Sequence, residues 1–231
     1  MRATLICFLL VSAAGMAQSA FQKGRTAMAN GDLQTAEAYL KQHLNRHPND
    51  AATLEVLGDV KCAKKDWESG VGYYEKLRDA LPKSANSHYK YGGALGMLAK
   101  ESNKFRALGM IPDVRASFEK AIELDPKHLE ARWALLELYL QLPGIAGGSE
   151  SKARRYAHEL AKLSTVDGHL AYGRIAEYFK RWPEAERHLK KAVETGGSKT
   201  TYQKLADLYK KSNQPDKARA TMVEYSQKNK S

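Results

Sequence analysis

Cysteine is almost absent from this chain of 231 residues, which contains only Cys7 and Cys62. Cys7 lies in an N-terminal segment that we expect to be removed, so Cys62 has no partner in the mature chain. A fold held together by internal disulfides is therefore excluded, and packing must supply the stability. We expect Cys62 to be a half-buried structural thiol rather than a reactive one.

Long apolar runs are missing after residue 20, and no later stretch is apolar for the length that a bilayer requires. Before that point, Arg2 precedes an apolar run over residues 5–14, and small residues follow it at 15–20. This order is typical of a cleaved secretory signal peptide. We predict a signal peptide over residues 1–19 and a periplasmic or secreted mature chain without a lipid anchor. The alternative is a segment that stays attached as a membrane anchor.

Catalytic signatures are missing too. The sequence contains no nucleophile elbow, no Cys/His pair and no dinucleotide-binding fingerprint on a strand. His43 and His47 have a metal-capable spacing, but no third ligand is near them in sequence, and we expect a solvated pair. The glycine-rich run over residues 144–149 lacks the lysine of a phosphate-binding loop, which favours a flexible connector capped by Ser149 or Ser151. We therefore predict no enzymatic activity, no cofactor and no metal site.

Acidic residues are fewer than basic ones. The chain contains 37 Lys and Arg but 26 Asp and Glu, which gives a net charge of +11. A basic balance can indicate nucleic acid, an acidic glycan or an anionic lipid surface as the partner. It can equally come from a solvated outer surface of helical repeats. Both interpretations stay open at this point.

Helical periodicity is what the sequence does have, and it is clearest over residues 51–84. Apolar residues recur there at i, i+3 and i+4 in two successive stretches, which predicts two amphipathic helices. Gly58 lies inside the first helix and Gly70 early in the second, where a glycine indicates that a neighbouring helix comes close. Pro82 closes the unit because proline cannot continue a helix.

The same pattern recurs at a period of about 34 residues. One step back from Gly58 lies Gly24, and one step forward lies Gly92. One step back from Pro82 lies Pro48. In these positions the chain resembles the tetratricopeptide repeat (TPR) family, whose units are helix–turn–helix repeats of 34 residues. The resemblance implies an all-α, right-handed superhelix (an α-solenoid) of about six repeats, over residues 20–50, 51–84, 85–128, 129–165, 166–198 and 199–231.

Repeats three and four are longer than the others between their two helices. In repeat three about ten residues are added between Gly96 and Asp113, and we expect them to lengthen both helices, with Pro112 starting or kinking the second. In repeat four the added residues form the turn 142–149. Both insertions carry apolar residues that a solvated turn does not need, above all Phe105, Leu108, Ile111 and Ile145. If the two insertions meet at one edge, they either pack only on each other or dock a partner beside Lys104 and Arg106.

The resemblance also implies a concave face lined by the first helix (helix A) of each repeat. Projecting the outward positions of these helices gives a mixed set that leans acidic, from which we take the following candidates for partner binding: Arg25, Glu55, Asp59, Tyr89, Glu130, Trp133, Glu137 and Arg174. The Lys and Asn pattern by which some TPR proteins hold a carboxylate tail is broken here.

We therefore expect a scaffold that binds a protein or an extended peptide, with the basic or aromatic-containing kind favoured by the candidates above. Neither a small-molecule substrate nor nucleic acid is the expected partner. The alternative function is an accessory subunit that binds an anionic polymer through lysines on the convex side.

Overall fold

Twelve α-helices and one short 3₁₀ helix make up the described part of the chain, which is residues 20–229 of a computed structural model. The predicted signal peptide and Cys7 lie outside the described residues. The α-helices are α1 (20–29), α2 (Leu33–Arg46), α3 (Ala51–Ala63), α4 (Trp67–Ala80), α5 (Ala85–Glu101), α6 (Lys104–Leu124), α7 (Leu129–Gln141), α8 (Glu150–Leu163), α9 (Thr165–Tyr178), α10 (Trp182–Gly196), α11 (Lys199–Lys211) and α12 (Pro215–Lys228). Residues 20–229 contain no β-strand. The predicted all-α class of helical hairpin repeats is confirmed.

The helices begin where short polar side chains can cap them. Asp32, Asp50 and Asp66 each accept a hydrogen bond from the backbone N–H three residues later, at the starts of α2, α3 and α4. Ser149 does the same for α8, as the sequence predicts. Such caps satisfy backbone donors that the first helical turn leaves without a partner, and each typically contributes about 1 kcal/mol.

Four of the six hairpins share one turn between their helices. The residue before the cap lies in the left-handed region, at Gly31, Lys65, Lys180 and Asn213, with φ between 56° and 79°. Repeats three and four lack this turn. In repeat three, α5 and α6 extend to 17 and 21 residues and are joined by Ser102 and Asn103 alone.

The predicted lengthening of both helices in repeat three is therefore confirmed, but the description of the insertion as a long turn is wrong. Pro112 does not start α6, which begins eight residues earlier and contains the proline. In repeat four the connection is long, and it contains the 3₁₀ helix Gly144–Ala146.

Small residues of helix A pack against large side chains of helix B, which is the second helix of the same repeat. A Cβ atom added at Gly58 would lie 2.3 Å from the Tyr74 ring, and one added at Gly24 would lie 2.6 Å from Leu40. Gly92 faces Ser117 and Phe118, and Gly173 faces Leu189 in the same manner. The interpretation of Gly58 and Gly92 as packing positions is confirmed. Leu81 continues the apolar spacing of α4 in sequence, but it lies after the end of that helix and is exposed.

The chain divides into two compact units. Unit 1 contains the described residues up to Asp125, with α1–α6, and unit 2 runs from Pro126, with α7–α12. In unit 2 the apolar core includes Leu189, Leu205, Leu208 and Tyr209 from repeats five and six. In unit 1, Leu40, Leu57 and Val60 join repeats one and two. Within residues 20–229, no helix is both apolar enough and long enough to cross a membrane.

Candidate functional site

A groove of about 520 Å³ crosses the three A helices of unit 2, and we call it the α7–α9–α11 groove. Its walls are built from α7, α9 and α11, and Leu189 of α10 lies at its floor. Ten residues line it: Trp133, Glu137, Asp167, Leu170, Arg174, Glu177, Leu189, Lys204, Asp207 and Lys211. Three of the sequence candidates, Trp133, Glu137 and Arg174, are therefore brought together here.

Trp133 supplies the flat apolar surface of this groove. Its indole N–H donates a 2.8 Å hydrogen bond to Asp167 at the first turn of α9. This bond joins α7 to α9 and fixes the orientation of the ring. A half-buried indole whose polar edge is already satisfied leaves its face for a ligand.

Two ion pairs connect successive A helices along the groove. Arg174 of α9 donates two hydrogen bonds, of 2.7 and 2.9 Å, to the carboxylate of Glu137 on α7. Lys211 of α11 donates one of 2.5 Å to Glu177 on α9. These four charges are thus held in place before any ligand arrives.

The remaining charges of the groove are one base and two acids. Lys204 is exposed, and Asp207 accepts hydrogen bonds from Gln203 and Lys210. Asp167 is the second acid. Over the whole lining, four carboxylates face three bases, so the groove carries a formal charge of −1. The sequence predicts an acidic face along the A helices. In this groove the ion pairs of Glu137 and Glu177 neutralise two of the four carboxylates.

In unit 1 the acidic candidates share one lysine. Lys90 of α5 lies 2.5 Å from Asp59 and 3.1 Å from Glu55, both on α3. Burial alone lowers the pKa of Lys90, but the hydrogen bonds to the two carboxylates outweigh this, and the net shift is upward. Asp59 also accepts a hydrogen bond from the Tyr74 hydroxyl. Burial raises the pKa of that hydroxyl most, and the hydrogen bond to Asp59 raises it further. The cluster is a polar contact between repeats two and three.

The other three candidates for partner binding occupy different environments. Arg25 is exposed and lies over the ring of Phe21, 5.8 Å from its centroid. Tyr89 is half-buried, and its ring packs against Phe118 at 5.9 Å. Glu130 is exposed at the start of α7, with an oxygen 3.2 Å from His128. None of the three lines the α7–α9–α11 groove.

The apolar residues of the insertions are largely exposed. Phe105 and Leu108 of α6 expose 90% and 49% of their surface, and Ile145 exposes 100%. Ile111 is half-buried. Arg106 reaches Glu68 at the start of α4, with 2.9 Å between donor and acceptor. Phe105 and Leu108 belong to unit 1 and Ile145 to unit 2, so the meeting of the two insertions stays a prediction.

Two histidine pairs are formed, of which the sequence indicated one. The rings of His43 and His47 lie with 4.7 Å between centroids and are tilted by 33°, but His43 is buried, so the predicted solvated pair is only partly correct. His169 and His188 also meet, although 19 residues separate them in sequence. No local pattern in the sequence indicates that contact, because it depends on how α9 and α10 pack against each other. Among residues 20–229, no group of three or more His, Cys, Asp or Glu side chains is arranged to hold a metal ion.

Cys62 is half-buried, as predicted. Its Sγ atom packs against Gly70, and a Cβ atom added to that glycine would lie 2.7 Å from the sulfur. Burial raises the pKa of this thiol. A raised pKa leaves little thiolate at neutral pH, which is typical of a structural cysteine.

Comparison with known proteins agrees with this geometry. Residues 21–85 match the family model of the tetratricopeptide repeat. A thermophilic TPR protein of Thermus thermophilus superimposes with a TM-score of 0.64 at 15% identity, over 90% of this chain and 99% of that one. Residues 21–85 thus match the tetratricopeptide repeat family, and the fold of the described chain is similar to that of solved TPR proteins.

Two other solved TPR structures are similar in fold. A TPR protein of Parabacteroides merdae has a TM-score of 0.63 at 17% identity, over 90% of this chain and 78% of that one. YrrB, described as a TPR protein with an unusual peptide-binding site, has a TM-score of 0.53 at 16% identity, over 79% and 87%. No curated protein matches the sequence. At these identities the likeness shows the fold alone.

Proposed function

We propose that this chain is an exported, non-enzymatic scaffold that holds an extended segment of another protein in the α7–α9–α11 groove. One observation carries the proposal, namely that three consecutive A helices build one groove in which the Trp133 indole and two interhelical ion pairs are already fixed. Groups fixed before binding lose little conformational entropy when a ligand arrives, and this favours recognition. The peptide-binding relative described above uses the same fold, which adds support to a peptide ligand.

The lining favours a particular kind of peptide. The face of Trp133 and the side chain of Leu170 offer apolar contact. The excess negative charge of the groove, with Asp167 and Asp207 on neighbouring helices, complements a Lys or Arg side chain. A cation that reaches Asp167 would also pass over the Trp133 ring, where cation–π attraction contributes about 0.5–2 kcal/mol. The ligand is thus a segment with a basic side chain next to an apolar or aromatic one.

Fluorescence anisotropy with labelled, unstructured decapeptides tests this. One peptide carries a Leu-Arg step in a Gly/Ser background, and its control carries Leu-Glu. We expect the Arg peptide to bind more tightly. The double variant Trp133→Ala with Glu137→Lys should weaken it at least tenfold, about 1.4 kcal/mol.

A matched variant shows whether any loss belongs to the groove. Tyr39→Ala with Glu119→Lys makes the same two types of change in unit 1, at a half-buried aromatic residue and an exposed carboxylate, and should leave the affinity unchanged. Equal binding of the Arg and Glu peptides, or equal affinity in both double variants, would contradict the proposal. A steep fall of binding to an anionic polymer between 50 and 200 mM salt would instead favour the alternative, because phosphate contacts release counterions.

Export is the second part of the proposal, and the sequence of residues 1–20 supports it. N-terminal sequencing of the protein recovered from the periplasm or medium should begin between Gln18 and Phe21. A soluble cytosolic protein that retains Met1 would rule export out while leaving the groove untouched.

A further inference from the structure

Two imidazoles from different helices face each other on repeat five. The Nδ1 atom of His169 on α9 lies 3.4 Å from the Nδ1 atom of His188 on α10. Both side chains are half-buried. Tyr172, one turn after His169, stacks on the His188 ring with 5.3 Å between centroids, which fixes the ring in place. The pair lies outside the α7–α9–α11 groove, and the proposed function makes no use of it.

The distance between the two nitrogens is informative. A hydrogen bond between two nitrogens would be expected near the usual 2.9–3.0 Å, and 3.4 Å is long for one. Two imidazole nitrogens bound to one tetrahedral Zn²⁺, at about 2.0–2.1 Å each, are about 3.3–3.4 Å apart. A right-angled, square-planar site would bring them to about 2.8–2.9 Å. The observed spacing therefore matches that of two nitrogen ligands of one tetrahedral ion.

We propose that His169 and His188 bind one Zn²⁺ ion through their Nδ1 atoms, with water completing the tetrahedron. The sequence predicts no metal site because 19 residues separate the two histidines. With two ligands from the chain, the site keeps two open positions, which a carboxylate or imidazole of a docked protein can fill. Zinc would then join this scaffold to a partner at a second place.

Arg187 places a positive charge beside the pair, with its Nη2 atom 3.5 Å from Nε2 of His188. That charge repels a Zn²⁺ ion bound at the two Nδ1 atoms. Arg187 therefore opposes the metal, and its removal should favour binding.

Titration calorimetry of the metal-stripped mature chain with ZnCl₂ at pH 7.5 tests the site. We expect one Zn²⁺ per chain. His169→Ala and His188→Ala should each weaken binding at least tenfold, and Arg187→Ala should tighten it at least twofold. A merely structural histidine pair would not respond to Arg187→Ala in this direction.

Controls separate this pair from the other candidate ligands. His47→Ala removes one member of the His43 pair and Cys62→Ser removes the thiol, and neither should change the zinc affinity. If His169→Ala fails to fold by circular dichroism, His169→Gln keeps the side chain polar and replaces it. Absence of zinc binding by the unmodified chain, full binding by the His169 variants, or loss of binding in His47→Ala overturns the proposal.

Discussion

Arg174 of α9 binds Glu137 of α7 through two parallel hydrogen bonds, of 2.7 and 2.9 Å, and thereby joins the A helices of repeats four and five. The two residues are 37 apart in sequence, close to one repeat. Lys211 and Glu177 repeat the arrangement between repeats five and six, 34 residues apart. The charged residues of this inner face therefore stabilise the stacking of repeats as well as shaping a binding surface.

The first prediction concerns the strength of the ion pair between Arg174 and Glu137. Both side chains are about 30% exposed, so solvent screens the pair and the two-point geometry only partly compensates. A double-mutant cycle with Glu137→Gln and Arg174→Gln should give a coupling free energy of about 0.5–1 kcal/mol in urea unfolding. The exposed pair Lys120 and Glu123 on α6 serves as the control cycle, with about 0.2–0.5 kcal/mol. Equal coupling in the two cycles would mean that the pair does not join the helices.

Two glycines of repeat two should respond in opposite ways to a larger side chain. Gly58→Leu places its Cβ against the Tyr74 ring and should destabilise the fold by about 1–3 kcal/mol. Gly72 on α4 has no neighbour within 4 Å of an added Cβ, so Gly72→Ala should stabilise by about 0.4–1 kcal/mol through the entropy of the unfolded chain. The measurement is the free energy of unfolding in urea. An unchanged stability in Gly58→Leu would show that the helix register is wrong.

The sequence could predict the helices and the packing of each hairpin because both depend on local spacing. Gly58 and Tyr74 are 16 residues apart within one repeat, and the 34-residue period places the same pair in other repeats. Contacts between repeats were not predictable in the same way. Lys90 neutralises Asp59 through a long side chain whose direction depends on the neighbouring helix.

The insertions show the same limit. Repeat spacing indicated that residues were added in repeat three and that they lengthen both helices, but it could not place the junction between the two helices. The Asn103 cap decides it, because its side chain accepts the N–H of Arg106 and starts α6 there. The contact of His169 with His188 was missed because it depends on how α9 and α10 are rotated about their axes.

Acid should remove the contribution of Glu37 to stability. Its carboxylate on α2 is bound by Lys41, then by Lys61 and Lys64, and these lysines hold its pKa at about 2 in the folded chain. The side chain is only 12% exposed, so screening is limited. Because the folded-state pKa lies below the unfolded value, the stabilisation is complete above about pH 4.5 and is lost as the pH falls toward 2.

Glu37→Gln should therefore lower the free energy of unfolding by about 1–2 kcal/mol at pH 7. The difference from the unmodified chain should shrink between pH 4.5 and 2. Urea unfolding over this pH series measures it. Glu119→Gln, an exposed carboxylate on α6, is the control and should change stability by less than about 0.5 kcal/mol at every pH. A difference that stays constant down to pH 2 would show that charge is not the cause.

The final prediction concerns the exposed apolar residues of the two insertions. Phe105 and Ile145 expose 90% and 100% of their surfaces, so neither has core contacts to lose. Phe105→Ser and Ile145→Ser should each change the free energy of unfolding by less than about 0.5 kcal/mol. Phe118, which is 5% exposed on the same helix as Phe105, is the control, and Phe118→Ala should cost about 3–5 kcal/mol.

The same two variants then separate packing from docking. Phe105 and Leu108 expose apolar surface three residues apart on α6, and contiguous exposed apolar surface is typical of contact sites. We therefore expect each serine variant, at unchanged stability, to capture less of a protein partner from envelope extract than the unmodified chain does. A clear loss of stability would show that the insertions pack on other parts of the chain. Unchanged stability together with unchanged capture would remove both residues from the binding surface and leave the α7–α9–α11 groove to act alone.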